Sequence, residues 1–187
     1  MIDKIKKEVR DARKSMIKVS KKKSFNSQYS MGIDISKRSP GFAIIEILTE
    51  KIIFSEKFAS SITNNSVLFL DYMIYLNHIL KKYKPGIVII EDFFLHQKKP
   101  NAVLSLGIIQ GIMLSVLIME GYDVKKIHNM SIKAYHGCKN KEQLFNFINK
   151  KYNLGYCFEK DNDITDAIAI ALCHDSAKIK NYWGDKN

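Results

Sequence analysis

The sequence has little arginine, little cysteine and, across one long stretch, no charge. Arginine occurs only at Arg10, Arg13 and Arg38, although lysine and arginine together number 30 against 19 acids, for a formal net charge of +11. Arginine makes the planar two-point contacts that read base edges, whereas lysine is a mobile point charge suited to phosphates. The shortage points away from sequence reading, and the positive excess points toward a polyanion such as nucleic acid. The three cysteines, Cys138, Cys157 and Cys173, are odd in number and scattered. That excludes a disulfide framework and fits an intracellular, reducing compartment. His136 near Cys138, and Cys173 beside His174, raise the question of zinc, but no C-x-x-C or H-x-x-x-H spacing supports it. Residues 1–28 contain no apolar core of the kind a secretory signal needs.

The uncharged stretch is "AVLSLGIIQGIMLSVLIM" at 102–119. It is long enough to cross a bilayer. However, it holds Ser105, Gln110, Ser115 and two glycines, and a strand-like segment follows at once, so the expectation is a buried helix and no membrane. Gly107 and Gly111, spaced G-x-x-x-G, allow another helix to approach closely. One face on a sheet and another on a second copy of the chain would explain why it is apolar nearly all round, and a monomer with a crowded core is the alternative.

What is present suggests one domain with tails. The chain has 187 residues, 46% of them apolar, enough for a substantial core. Residues 1–28 hold ten Lys and Arg against three acids and read as a flexible basic extension, suited to be a DNA-binding arm. The folded domain is expected over 29–180, with a short tail at 181–187. "YSMGIDIS", "GFAIIEIL" and "KIIFSEKF" read as strands of an antiparallel meander, with a turn near Thr49 and Glu50. "NNSVLFLDYMIYLNHILKKY" reads as a helix capped by Asn64, Asn65 or Ser66 and stopped by Pro85-Gly86, with an apolar face of Val67, Leu70, Met73, Ile74 and Leu80. "GIVIIED" is a strand covered on both sides, residues 101–120 are a helix, and "YDVKKIH" is a further strand. "KNKEQLFNFINKKY" is a helix packed through Leu144, Phe145, Ile148 and Tyr152, and residues 163–178 form the last helix. The order βββαβαβαα predicts an α/β fold with a mixed five-stranded sheet flanked by helices.

Four acids fall at informative places in this layout. Asp34 ends the first strand and Glu91 the fourth, and in α/β sheets ligands bind outside such strand ends. These two strands are expected to be neighbours. Asp163 and Asp166, three apart at the start of the last helix, share a face that continues through Ala167 and Ile170 onto the sheet. Near-buried carboxylates so close together repel unless protonated or bound to cations. In a phosphate-seeking protein the matching cation is Mg²⁺ or Mn²⁺, a hard ion with oxygen ligands, and two such ions can clamp an in-line attack on a phosphodiester. Taken singly, Asp163 also suits an N-cap, Asp166 a first-turn acid, and either strand-end acid an ordinary surface position.

With these positions assembled, the sequence resembles the RuvC-type Holliday junction resolvases of the RNase H-like nuclease superfamily. "MGIDISKRSPGFAII" looks like the family's first strand and turn. "IIEDFFLHQKKPNAVLSLGIIQG" looks like its glutamate strand, aromatic loop and helix. "DNDITDAIAIALCH" looks like its terminal Asp-x-x-Asp-Ala helix. The resemblance covers roughly residues 30–175. It implies an RNase H-like fold and a Mg²⁺-dependent endonuclease acting on four-way DNA junctions as a homodimer. Two ions per subunit are implied, with Mn²⁺ able to substitute, and products with 5′-phosphate and 3′-hydroxyl ends. Asp34, Glu91, Asp163 and Asp166 match the metal-binding catalytic acids. Phe94 matches an aromatic inserted at the junction centre, with Phe93 as a second candidate. Lys133, Lys139 and Lys141 fall where relatives place lysines on DNA, and Lys37, Arg38, Lys98 and Lys99 flank the same loops. Two departures stand out: Ile35-Ser36 in place of the bacterial Pro-Gly, and a shortened loop at "HGCKNK". The competing readings are another RNase H-like nuclease, cutting RNA–DNA hybrid or acting from an end, and an inert nucleic-acid-binding module.

Overall fold

Residues 30–34 are buried in succession, as expected of a strand covered on both faces. They close β1 (Asn26–Asp34), which pairs antiparallel with β2 (Gly41–Glu46). β2 in turn pairs antiparallel with β3 (Ile52–Lys57). Glu50, with φ of 54°, makes the turn between them, so the expected meander is present. The structure, a computed structural model, describes residues 25–58, 60–92 and 100–182, with positions 6–8, 10, 11 and 14 upstream. Most of the basic extension therefore lies outside the described residues, as do Phe93, Phe94, Lys98 and Lys99. β1 begins at Asn26 rather than near Tyr29.

Beyond β1 the sheet turns parallel. β4 (Pro85–Asp92) pairs with β1, and β5 (Val124–His128) pairs with β4, both parallel. β6 (Lys180–Asn181) then joins β5 antiparallel, and the order is β3-β2-β1-β4-β5-β6. The sheet is mixed, as expected, but has six strands rather than five. The extra strand is a two-residue edge, too short to carry any alternation a sequence reading could detect.

Five helices cover the two faces. Met31, Ile33, Phe42, Ile44, Val88 and Ile90 point to α1 (Asn65–Tyr83) and α2 (Pro100–Met119). Ala43, Ile45, Ile89 and Ile127 point the other way, to α3 (Asn129–Tyr135), α4 (Lys141–Tyr152) and α5 (Phe158–Leu172). α4 packs through Leu144, Phe145 and Ile148, as its pattern predicts. α3 is a two-turn helix that the sequence reading left as connection. Among the described residues no helix is long and apolar enough to cross a membrane.

Two expectations are corrected. α1 is capped by Asn64 as read, its side chain accepting from the Ser66 and Val67 amides. It buries Leu68, Tyr72, Leu76, Ile79 and Leu80, whereas Val67, Leu70 and Ile74 are exposed. The helix carries two apolar stripes, and the sheet takes the one holding Tyr72, whose hydroxyl reaches the Lys37 carbonyl at 2.5 Å. The last helix runs from Phe158 to Leu172 rather than over 163–178. Glu159 and Asp161 lie in its first turn, where negative charge suits the helix dipole, and the Asp161 carboxylate accepts from the Cys157 amide at 3.0 Å. Asp163 is therefore a second-turn residue and not the N-cap.

α5 lies very close to the sheet because small residues line the contact. A Cβ on Gly32 would stand 2.2 Å from the Ala167 carbonyl oxygen and 2.4 Å from the Ala171 nitrogen. One on Gly41 would stand 1.9 Å from the Asp163 carbonyl oxygen. These neighbours are backbone, which cannot swing aside as a side-chain end can. Gly41→Ala should therefore lift the helix and lose about 1–3 kcal/mol of stability, read as a lower urea midpoint at unchanged slope.

Candidate active site

The pleat decides where the strand-end acids point. Alternate residues face opposite sides, and Ile33 lies level with Ile90 in the parallel pair. Asp34 and Glu91, one position further on, are therefore neighbours, both turned to the face that α5 covers. From α5, Asp163 and Asp166 descend onto the same spot. The structure thus brings together all four acids that the sequence singled out.

The consequences are electrostatic. Asp34 is only 8% exposed. Burial, and then the carboxylates of Asp166, Glu91 and Asp163, raise its pKa well above the usual carboxylate value, against the opposing pull of Lys141. Asp166 is also raised, by burial first and then by Glu91 and Asp163, although the Lys141 ammonium stands 2.7 Å from its Oδ2. Burial weakens the Lys141 ammonium, but Asp166, Asp34 and Asp163 outweigh it and raise its pKa. Asp166 stays raised despite that contact because burial outweighs it.

Each of three acids is also held by a donor. Ser39 Oγ donates to Asp163 Oδ2 at 2.7 Å. Asn129 Nδ2 donates to Glu91 Oε1 at 2.6 Å. Lys141 completes the set on Asp166. Ser39 and Asn129 were not singled out from the sequence. The available signal was position: Ser39 lies in the loop leaving the β1 tip, and Asn129 directly follows β5, beside the Glu91 strand.

The donor chemistry fits a divalent ion. The candidate ligands are carboxylate oxygens, the set that Mg²⁺ and Mn²⁺ prefer. As the side chains stand, no group of three or more His, Cys, Asp or Glu among the described residues is arranged to hold a metal ion. Asp163, Glu91 and Asp166 are each bonded to a partner within the protein. His136 is a satisfied histidine packed on α5, with Nε2 3.0 Å from the Ala169 carbonyl and 3.8 Å from Cys173 Sγ.

The basic candidates divide. Lys141 enters the acidic cluster. Lys37 and Arg38 ride the loop that follows Asp34, Arg38 bonding the Ile62 carbonyl at 3.3 Å. Lys133 lies on α3, and Lys139 is exposed between α3 and α4.

A carboxylate whose folded pKa is raised stabilises the fold below its unfolded pKa, and that contribution is lost as pH rises through the folded value. Asp34 therefore opposes folding at neutral pH without metal. In chelator, Asp34→Asn should melt above wild type at pH 7, and the difference should close as pH falls to the ordinary carboxylate range, read by thermal unfolding across pH.

Comparison with known proteins agrees with this architecture. The sequence pattern of the family described as crossover junction endodeoxyribonuclease RuvC matches residues 30–174. The chain is 29% identical over 152 residues to a crossover junction endodeoxyribonuclease RuvC of Caldanaerobacter subterraneus subsp. tengcongensis, covering 77% of this chain and 90% of that protein. A Geobacter metallireducens protein of the same name is 28% identical over 158 residues, 81% of this chain and 94% of its own. In fold, the chain is similar to T. thermophilus RuvC solved with a Holliday junction substrate, with a TM-score of 0.71 at 18% identity, over 82% of this chain and 99% of that one. The yeast mitochondrial Holliday junction resolvase Ydc2 is more distant, with a TM-score of 0.54 at 13% identity, over 86% and 82%. With the RuvC pattern running from β1 to just past the end of α5, over the span that carries all four acids, this chain belongs to the RuvC family of crossover junction endodeoxyribonucleases.

Proposed function

We propose that this protein is a structure-selective endodeoxyribonuclease that resolves four-way DNA junctions by paired, metal-dependent nicks leaving 5′-phosphate and 3′-hydroxyl ends. The observation that carries the proposal is the convergence of Asp34, Glu91, Asp163 and Asp166 at the sheet tip, where burial and the three neighbouring carboxylates raise the Asp34 pKa. Those four would hold two Mg²⁺ ions, which when bound activate the attacking water and stabilise the departing 3′-oxygen. The rest is the work of the chain itself. Ser39 and Asn129 orient Asp163 and Glu91 through the bonds described above. Lys37, Arg38, Lys133 and Lys139 would supply charge that fits phosphates. Shape, rather than base reading, selects the substrate, in keeping with the scarcity of arginine. Three free, scattered cysteines support a reducing intracellular setting.

The proposed assembly is a homodimer, whose two sites would address opposed strands of a nearly two-fold-symmetric junction. The apolar stripe that α1 does not give to the sheet supports it. Val67, Leu70 and Ile74 are exposed there, and Ile108 and Met119 are exposed on α2. Leu70, Ile74, Val116 and Met119 line one groove between the two helices. Among the described residues, and leaving aside the helix's own backbone, nothing stands within 4 Å of where a Cβ would be on Gly107 or Gly111, which leaves room for a partner helix.

On a labelled four-way junction with Mg²⁺, the protein should make symmetric nicks and leave plain duplex nearly intact. Asp166→Asn should lower the rate by roughly 10³-fold while still binding the junction. Equal cutting of RNA–DNA hybrid would favour another RNase H-like nuclease, and binding without any cutting would favour an inert module. Sedimentation at micromolar concentration should give twice the 21.6 kDa chain mass. Ile74→Glu should weaken that dimer at least about tenfold, because it places a charge where an isoleucine would be buried.

A further inference from the structure

Lys141 is oddly placed for a residue of purely local use. It opens α4, where the helix dipole disfavours a cation, and Asn140 caps the helix without its help, accepting from the Gln143 amide at 2.8 Å. The side chain instead reaches Asp166 Oδ2 at 2.7 Å, and the electrostatic influence of its ammonium extends to Asp34 and Asp163. Its partner is 13% exposed, yet Lys141 itself is 49% exposed. The Lys141 side chain thus reaches the cluster from a half-exposed position, able to leave without disturbing the core. Ser39 and Asn129 hold their acids with neutral groups, so Lys141 is the member of the donor set that brings charge.

We infer that Lys141 is a resident counterion that holds the acidic cluster together in the metal-free protein and competes with divalent metal for Asp166. The inference rests on the metal-binding reading of the four acids given above. With Lys141 on Asp166, the carboxylates stay gathered although no three of them form a metal cage. Metal entry requires the Lys141–Asp166 bond to open, and the released ammonium then lies beside the site, where a phosphate can accept it. The device ties the lysine's two possible partners, carboxylate and DNA, to whether metal is present.

The test is calorimetric titration of Mn²⁺ into the full-length protein without DNA, paired with thermal unfolding in chelator and in Mn²⁺. Lys141→Met should bind Mn²⁺ roughly fivefold more tightly than wild type, because the competing cation is gone. Without metal it should melt lower than wild type, and Mn²⁺ should raise its midpoint by more. Lys141→Arg, which keeps the charge, should bind Mn²⁺ no more tightly than wild type. Lys150→Met, at the far end of the same helix, should match wild type and so control for net charge. Equal or weaker Mn²⁺ affinity in Lys141→Met overturns the inference, and so does an equal gain in Lys150→Met. If neither wild type nor any variant takes up Mn²⁺, the metal reading of the site fails and this inference fails with it. A wild type that binds Mn²⁺ with an affinity Lys141→Met leaves unchanged removes this inference alone.

Discussion

The arrangement of this protein depends on how closely α5 lies against β1 and β2. Backbone meets backbone there, because Gly32 and Gly41 present no side chains and Ala167 and Ala171 present only methyls. The Ser30 side chain, buried beside them, is satisfied by donating to the Ala171 carbonyl at 2.8 Å. Such close approach lets the second and third turns of a helix overhang the tips of two strands. With a bulkier contact layer the helix would stand off, and Asp163 and Asp166 would face solvent instead of Asp34 and Glu91. Packing between apolar and small residues thus sets the distance across which the charged residues act.

That distance creates an electrostatic burden. Buried like charges raise one another's pKa and oppose folding, and the fold accepts this at one place while its overall charge is strongly positive. The burden is met locally. A hydroxyl, an amide and an ammonium, drawn from the β1–β2 loop, the β5–α3 junction and the start of α4, each hold one acid. Apart from Lys141, the basic residues behind the net charge of +11 make no ion pair with the four acids among the described residues. That charge is spread over an exposed surface and a basic extension, where salt screens it within about 8–10 Å. Charge that recruits a polyanion and charge that holds the site together are therefore separate features of the same sequence.

The helices on the opposite face follow a different logic. α1 and α2 are apolar over more than one stripe, and a sheet can cover only one stripe of each. The remainder, including Leu70, Ile74 and Met119, stays exposed on the face opposite the acids, so an assembly through it would leave both acidic clusters open. The same excess explains why 102–119 reads like a membrane span. A helix with one apolar stripe on a sheet and another left exposed has few positions left for charge.

Much of the fold was legible before any coordinates. The meander, the covered β4, the α4 face and the adjacency of β1 and β4 follow from periodicity and chain connectivity, which are local or nearly so. The four acids were legible because each falls at the end of an apolar run or on a buried helical face. Less legible were the choice of stripe on α1, the true start of α5, the short α3 and the two-residue β6. Each of these is decided by a contact distant in sequence, such as Tyr72 reaching Lys37, or by an element too short to show a period. Ser39 and Asn129 were invisible for a related reason, since a hydrogen bond between residues 124 positions apart leaves no mark on either neighbourhood. By itself, the sequence determined which residues are apolar, acidic or small and in what order they recur, and hence the layers and the identity of the acids. Only the tertiary structure decided which donor meets which acid, because hydrogen bonds and ion pairs depend on distances of a few ångströms that arise after the layers have packed.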